Sequence, residues 1–164
     1  MNESQRLFLV QARADHRVFR VFRADTSLPA CHALHYLQMA TELLGKAQAW
    51  KHGPAVTSHK AFVSFLRGLV TNRAAQSRLG YNRRNDHWAQ TLRGGVLFAE
   101  AIERLAPSLA GDGPNPEYPW PPDDPHHAPV EFAYPLWAEL QTTAAGRKFL
   151  TLIEKLFDAA ESFL

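Results

Sequence analysis

The stretch HALHYLQMATELLGKAQAW, residues 32 to 50, decides the fold class. Leu34, Leu37, Ala40, Leu44 and Ala47 recur at intervals of three and four, the period of one face of an α-helix. His35, Gln38, Glu42 and Lys46 repeat at three, four and four, so a second, polar stripe stacks along the same helix. Glu42 and Lys46 are spaced for an intrahelical ion pair, with further partners expected on neighbouring helices. The other expectation for this stripe is a polar seam that orders a bundle, because buried polar groups need partners.

Working outward, ADTSLP at 24–29 interrupts the helical pattern, with Thr26 or Ser27 as a cap and Pro29 at the start of the second helix. Before it, Leu7, Val10, Ala14, Val18 and Phe22 predict an amphipathic first helix over about residues 4 to 23. After it, KHGPAVT is a loop. Thr57 or Ser58 caps a third helix carrying Phe62, Phe65, Leu66 and Leu69, and the polar stretch that follows has room for a short helical turn. A fourth helix begins near Asn85 or Asp86 and carries Trp88, Leu92, Val96, Ala99, Ile102 and Leu105 as far as Pro107. Gly94 and Gly95 inside it each cost about 1 kcal/mol relative to Ala and so imply a close helix–helix crossing.

Nine of the eleven prolines fall in residues 107–135, which excludes a regular helix there. Tyr118, Trp120, Phe132, Tyr134 and Trp137 punctuate the same region, and disordered linkers lack such aromatics. The expectation is an ordered loop packed across the helices. A last helix follows Thr142 or Thr143, carrying Phe149, Ile153, Leu156, Phe157, Ala160 and Phe163. The class is all-α: one domain over 1–164, an up-and-down bundle of about five helices with a long proline- and aromatic-rich crossover loop before the last.

The 164 residues suffice for a sizeable core, and no apolar run approaches the roughly 20 residues that span a bilayer. The N-terminus has no signal-peptide pattern, and Cys31 is the only cysteine, so a reducing cytoplasm is expected and no membrane partner. The net charge of +2 hides an asymmetry. Residues 1–93 hold 14 Lys/Arg against 5 Asp/Glu, and residues 94–164 hold 4 against 11. The basic half is suited to phosphates, to the acidic half of a second copy, or simply to water.

Several polar groups invite a chemical reading. His32, His35 and Glu42 are possible metal ligands, but no other segment offers a matching pair; DDPHH at 123–127 is polar surface or a divalent-cation loop. No metal or other cofactor is expected. Cys31 is either a packed thiol or one activated by the start of its helix, and His59 a capping or packing residue. No phosphate-binding glycine loop or dinucleotide fingerprint is present.

Residues 11–69 resemble HEPN-superfamily domains. QARADHRVFRVF is similar to their first helix. Gln38, Glu42, Lys46 and Ala47 match the pattern Q-x-x-E-K-x-x-K-A of their second, with one extra residue between Gln and Glu and Leu43 in place of the first Lys. Thr57 and His59 resemble the Thr-x-His entry to the third helix, and EYPWP the Arg-Tyr-Pro segment before the last, with Glu117 in place of Arg. The resemblance implies an all-α fold, a homodimer, and a place in toxin–antitoxin, defence or RNA-processing systems, with RNA or nucleotide as ligand or a nucleotidyltransferase-like antitoxin as partner. It also implies that metal-independent ribonuclease activity is worth testing, through a signature of Arg, four to six residues, then His.

YNRRNDHW, residues 81–88, is the place to look. Arg84-Asn85 copies the Arg-polar start, but His87 follows Arg84 after two residues and Arg83 after three, closer than the signature requires. Metal-free RNA cleavage needs a base for the 2′-hydroxyl proton and a cation for the developing charge; His87 and Arg83 are suited to those roles. On a continuous helix they are i and i+4 and share a side, whereas a helix capped by Asn85 or Asp86 leaves Arg83 outside it. Three readings stay open: a polar helix entry, a phosphate-binding but inert patch of Arg83, Arg84, Asn85 and His87, or a working nuclease. The expected function is a non-catalytic HEPN-like binding or regulatory module. Its rivals are the metal-independent ribonuclease and a structural module docking through the aromatics around Trp120 and Trp137.

Overall fold

The computed structural model describes residues 1–52, 59–81, 85–162 and 164. Helix α1, Glu3–Ala24, opens on a capping box: Gln5 N–H donates to Asn2 Oδ1 and Asn2 N–H to Gln5 Oε1, each at 2.9 Å. Its buried stripe is Gln5, Leu9, Ala12, Asp15, His16 and Phe19, not the one the hydrophobic count selects. Leu7 and Val10 are exposed, and Ala14, Val18 and Phe22 are half-buried. Both stripes fit the helical period, but the buried one contains three polar residues that conceal it from a hydrophobicity reading.

Those polar residues are accommodated individually. Gln5 Nε2 donates to Leu164 O, and Gln11 donates to Asp15 Oδ1 at 2.9 Å. His16 lies flat on Phe157, ring centroids 4.1 Å apart. Burial, reinforced by Arg20, pushes its imidazole down to about 4. His16 is therefore neutral at pH 7 and packs as an aromatic; its 3.5 Å approach to Glu154 is no ion pair there.

Helix α2, Ala30–Ala49, buries Leu34, Leu37, Ala40, Leu44 and Ala47 completely, as its period predicts. Pro29, rather than Ser27 or Thr26, occupies the cap position, and no side chain caps the helix. Asp25 captures Ser27 instead, accepting from its N–H at 3.0 Å and its hydroxyl at 2.6 Å. A 3-10 turn, Trp50–His52, follows.

Helix α3, Ala61–Leu69, directs Phe62, Phe65, Leu66 and Leu69 into the core. Thr57 and Ser58, its expected caps, lie outside the described residues. The chain crosses closely here: a Cβ on Gly45 would stand 2.5 Å from the Ala61 carbonyl carbon. A short α4, Arg73–Arg78, is capped by Asn72, which accepts from Ala75 N–H. Helix α5, Asn85–Glu103, starts where the sequence predicts. Gly95 is its crossing point with the last helix, since a Cβ there would lie 3.3 Å from Leu152 and 3.6 Å from Phe149.

The proline-rich segment is ordered, with Trp120 and Tyr134 buried and Tyr134 Oη donating to Asn115 O at 2.7 Å. Asn115 Oδ1 in turn accepts from the N–H groups of Glu117 and Tyr118. Trp120 and His127 form an isolated antiparallel bridge, and the Trp120–Pro121 peptide is cis. Helical turns nevertheless form: α6, Pro107–Ala110, and a 3-10 turn, Pro129–Glu131, each begin on a proline, where the missing N–H costs nothing. Pro135 likewise starts α7, Pro135–Thr142, so a helix precedes the one predicted after Thr142 or Thr143. Helix α8, Ala144–Ala159, is capped by Thr143, whose hydroxyl accepts from Gly146 N–H at 2.9 Å.

The result is an all-α bundle with no strand among the described residues. Helix α1 lies along α2; α2 packs on α3 and α5; α8 packs on α5 and α7. No helix among the described residues is long and apolar enough to cross a membrane.

Candidate functional site

Of the cationic stretch, Arg83 and Arg84 lie outside the described residues, and Asn85 is the first residue of α5. His87 is exposed in the first turn of that helix. The approach to it is built by α4. Gly80 adopts φ +81°, its N–H donates to Ser77 O, and Tyr81 N–H donates to Gln76 O at 3.0 Å. This is a Schellman ending, which needs a residue free to take the left-handed conformation. The Gln76 side chain returns a bond to Tyr81 O at 3.0 Å, so Tyr81 is held on both sides. Its ring packs on His87, centroids 5.5 Å apart, and on Trp88 at 5.1 Å.

His87 stands at one end of a groove of about 380 Å³ between α5 and α8. Gln90, Thr91 and Gly94 continue the α5 wall; Ala144, Ala145 and Lys148 form the α8 wall. The floor is apolar, with Phe98 and Phe149 stacked 5.2 Å apart. Small residues make this space: a Cβ on Gly94 would meet nothing within 4 Å. An adjoining depression shares His87, Thr91, Ala144 and Lys148 and adds Tyr81, Arg147 and Thr151. Among the described residues lining either, there is no Asp or Glu. Lys148 is exposed; Arg147 is also exposed but donates to Thr142 O at the end of α7. An apolar floor with a few convergent polar groups is the usual make-up of a ligand cleft, and the positive rim selects anions.

Lys148, Arg147, Gln90 and Thr91 were not singled out from sequence. Lys148 and Arg147 belong to the acidic half of the chain, so counting charge by halves conceals that α8 delivers two cations to a histidine some sixty residues earlier. The signal that could find them is local: the first two turns of the last helix contain Arg and Lys and no acid.

The polar stripe of α2 divides in two. Glu42, almost fully buried, receives Gln38 Nε2 at 2.6 Å and Lys46 Nζ at 2.5 Å, and pairs with His59 Nδ1 at 2.7 Å. Burial pushes its carboxyl up, but the hydrogen bonds and charges of Lys46 and His59 outweigh that and hold it below the ordinary value. His59 is thus neither a cap nor a packing residue but the tie between this carboxylate and the entry to α3. On the far side of the α3 entry, Glu103 accepts from Val63 N–H at 2.9 Å, and burial raises its carboxyl.

His35 turns elsewhere. Its Nδ1 faces Glu117 Oε1 of the proline-rich segment at 3.5 Å, too long for a good hydrogen bond. Burial raises the Asp15 carboxyl. Cys31 is buried, and that burial pushes the thiol up, the opposite of activation by a helix start. His126 and His127 are exposed, and His126 Nδ1 lies 2.9 Å from Asp124 O. Among the described residues, no three His, Cys, Asp or Glu side chains assemble into a metal-holding group.

Comparison with protein-family models, with curated proteins and with solved structures finds no match.

Proposed function

We propose that the chain is a non-catalytic, HEPN-like binding module that holds phosphate-bearing ligands, RNA or nucleotide, in the groove between α5 and α8. One observation carries this: His87 and Lys148 face a common cleft with an apolar floor and no carboxylate among its described lining residues. The resemblance of residues 11–69 to HEPN domains supports the same reading, and with it a homodimer, a cytoplasmic setting and a toxin–antitoxin or defence partner. Arg83 and Arg84, directly preceding α5, add to the positive charge that a phosphate backbone meets on approach.

The test is retention of labelled single-stranded RNA in EDTA across a salt series from about 50 to 200 mM. Binding should weaken steeply with salt. Lys148→Ala should weaken it further and reduce the log–log salt slope by about 1, as expected for loss of one phosphate contact. No retention at low salt contradicts the reading.

A second reading has one specific observation behind it: His87 is exposed beside cations, the setting a general base for metal-independent cleavage needs. In the same assay, cleavage that survives EDTA and disappears in His87→Ala would make the chain a ribonuclease using His87 and Arg83.

A further inference from the structure

Lys155, on α8, belongs to neither wall of the groove, yet it reaches the segment that leads into it. Its Nζ donates to Leu79 O at 3.1 Å and lies 4.7 Å from the centre of the Tyr81 ring. Leu79 is the C-cap residue of α4, and its carbonyl is one that the helix itself leaves without a partner. A cation there satisfies that carbonyl and complements the negative end of the helix. The same ammonium holds the face of Tyr81, whose ring is the surface on which His87 packs. The ring is half-buried and lines the adjoining depression together with His87 and Thr91.

We infer that Lys155 is a positioning residue for the groove: it fixes Tyr81, and through Tyr81 it sets the orientation of His87. This inference deepens the proposed phosphate-binding role and rests on it for its functional consequence. The geometric part stands separately. Lys155 is half-buried and spends its ammonium on Leu79 and Tyr81, so it acts without touching the ligand.

The experiment compares wild type, Lys155→Met and Lys155→Arg, each first checked by thermal unfolding. Two readouts are taken: the His87 imidazole cross-peak and its titration by NMR, and RNA affinity across the salt series. In Lys155→Met the His87 resonance should shift while that of His126, remote in the proline-rich segment, stays in place. Affinity should fall about tenfold, because His87 is no longer pre-organised toward the ligand, while the salt slope is unchanged. Arginine, which can donate to the carbonyl and cover the ring, should restore both. Lys155→Gln, which keeps a donor for Leu79, takes the place of the methionine variant should that variant fail to fold, and should show the His87 shift in reduced form. An unmoved His87 signal overturns the inference. So does a slope reduced by about 1, which would make Lys155 a direct phosphate contact. If wild type retains no RNA but the His87 signal responds as stated, the binding role fails and the positioning role holds.

Discussion

Glu42→Ala is expected to destabilise the protein by about 3 kcal/mol, the lower end of the cost of stripping one partner from a buried ion pair. The lower end applies because Lys46 and His59 keep some access to water, with side chains 17% and 38% exposed against 6% for Glu42. Removal leaves Gln38, buried at 2% exposure, without the acceptor of its amide. It also unties His59 from α2 at the entry to α3. In a thermal melt the loss should appear as a fall of about 10 °C. Glu42→Gln, which keeps the shape and can still accept, should cost less. The pH dependence has a definite sign. Glu42 is held below its ordinary value in the fold, so its contribution is full above the unfolded carboxyl's range and is lost as pH falls through the folded value. Glu103 and Asp15 are raised by burial and work in the other direction: what they contribute is present at low pH and is lost as pH rises through their folded values. Glu42→Ala should therefore weaken the protein more at pH 7 than at pH 3.

Gly45→Ala is expected to cost as much or more, about 3 kcal/mol from overpacking. The added Cβ would stand 2.5 Å from the Ala61 carbonyl carbon and 2.6 Å from both the Ala61 oxygen and Phe62 N. These are backbone atoms, so no rotamer relieves the clash and α3 must back away from α2. Phe62, Phe65 and Leu66 would be withdrawn from the core with it, and the Glu103 bond to Val63 N–H stretched. Gly68→Ala, at a helical position with nothing within 4 Å, is the control and should stabilise by about 0.5–1 kcal/mol. Equal effects of the two substitutions in a denaturant melt would contradict the close crossing.

The helices were legible where hydrophobicity and burial agree. In α2 the apolar residues are the buried ones, and periodicity suffices. In α1 they diverge: Asp15, His16 and Gln5 take core positions because each finds a neighbour or sheds its charge, which no single-sequence pattern announces. The aromatics mark 107–135 as ordered and the prolines mark it as non-regular, but proline is also a helix starter, and α7 begins on Pro135. Gly94 and Gly95 marked a crossing; only three-dimensional packing separates Gly95, which meets α8, from Gly94, which faces open space. The site was half-readable. His87 stands out beside two arginines, whereas its counterparts Lys148 and Arg147 reach it only through the packing of α8 on α5. The α2 stripe read as one seam proves to be two, because His35 turns to Glu117 while Gln38 and Lys46 converge on Glu42.

The claim that the groove between α5 and α8 receives the ligand is tested most directly by filling it. Helical side chains lean toward the N-terminus, so a leucine at position 94 would lie over Gln90 and Thr91, in the middle of the groove. Leucine is also the better helix former by about 0.8 kcal/mol, and space is open to it. Gly94→Leu and wild type should be compared for single-stranded RNA affinity at fixed salt, with a thermal melt of each. The account predicts a variant at least as stable as wild type whose affinity has fallen about tenfold or more, a loss of roughly 1.4 kcal/mol in binding. A stable variant that binds RNA as tightly as wild type would place the ligand elsewhere.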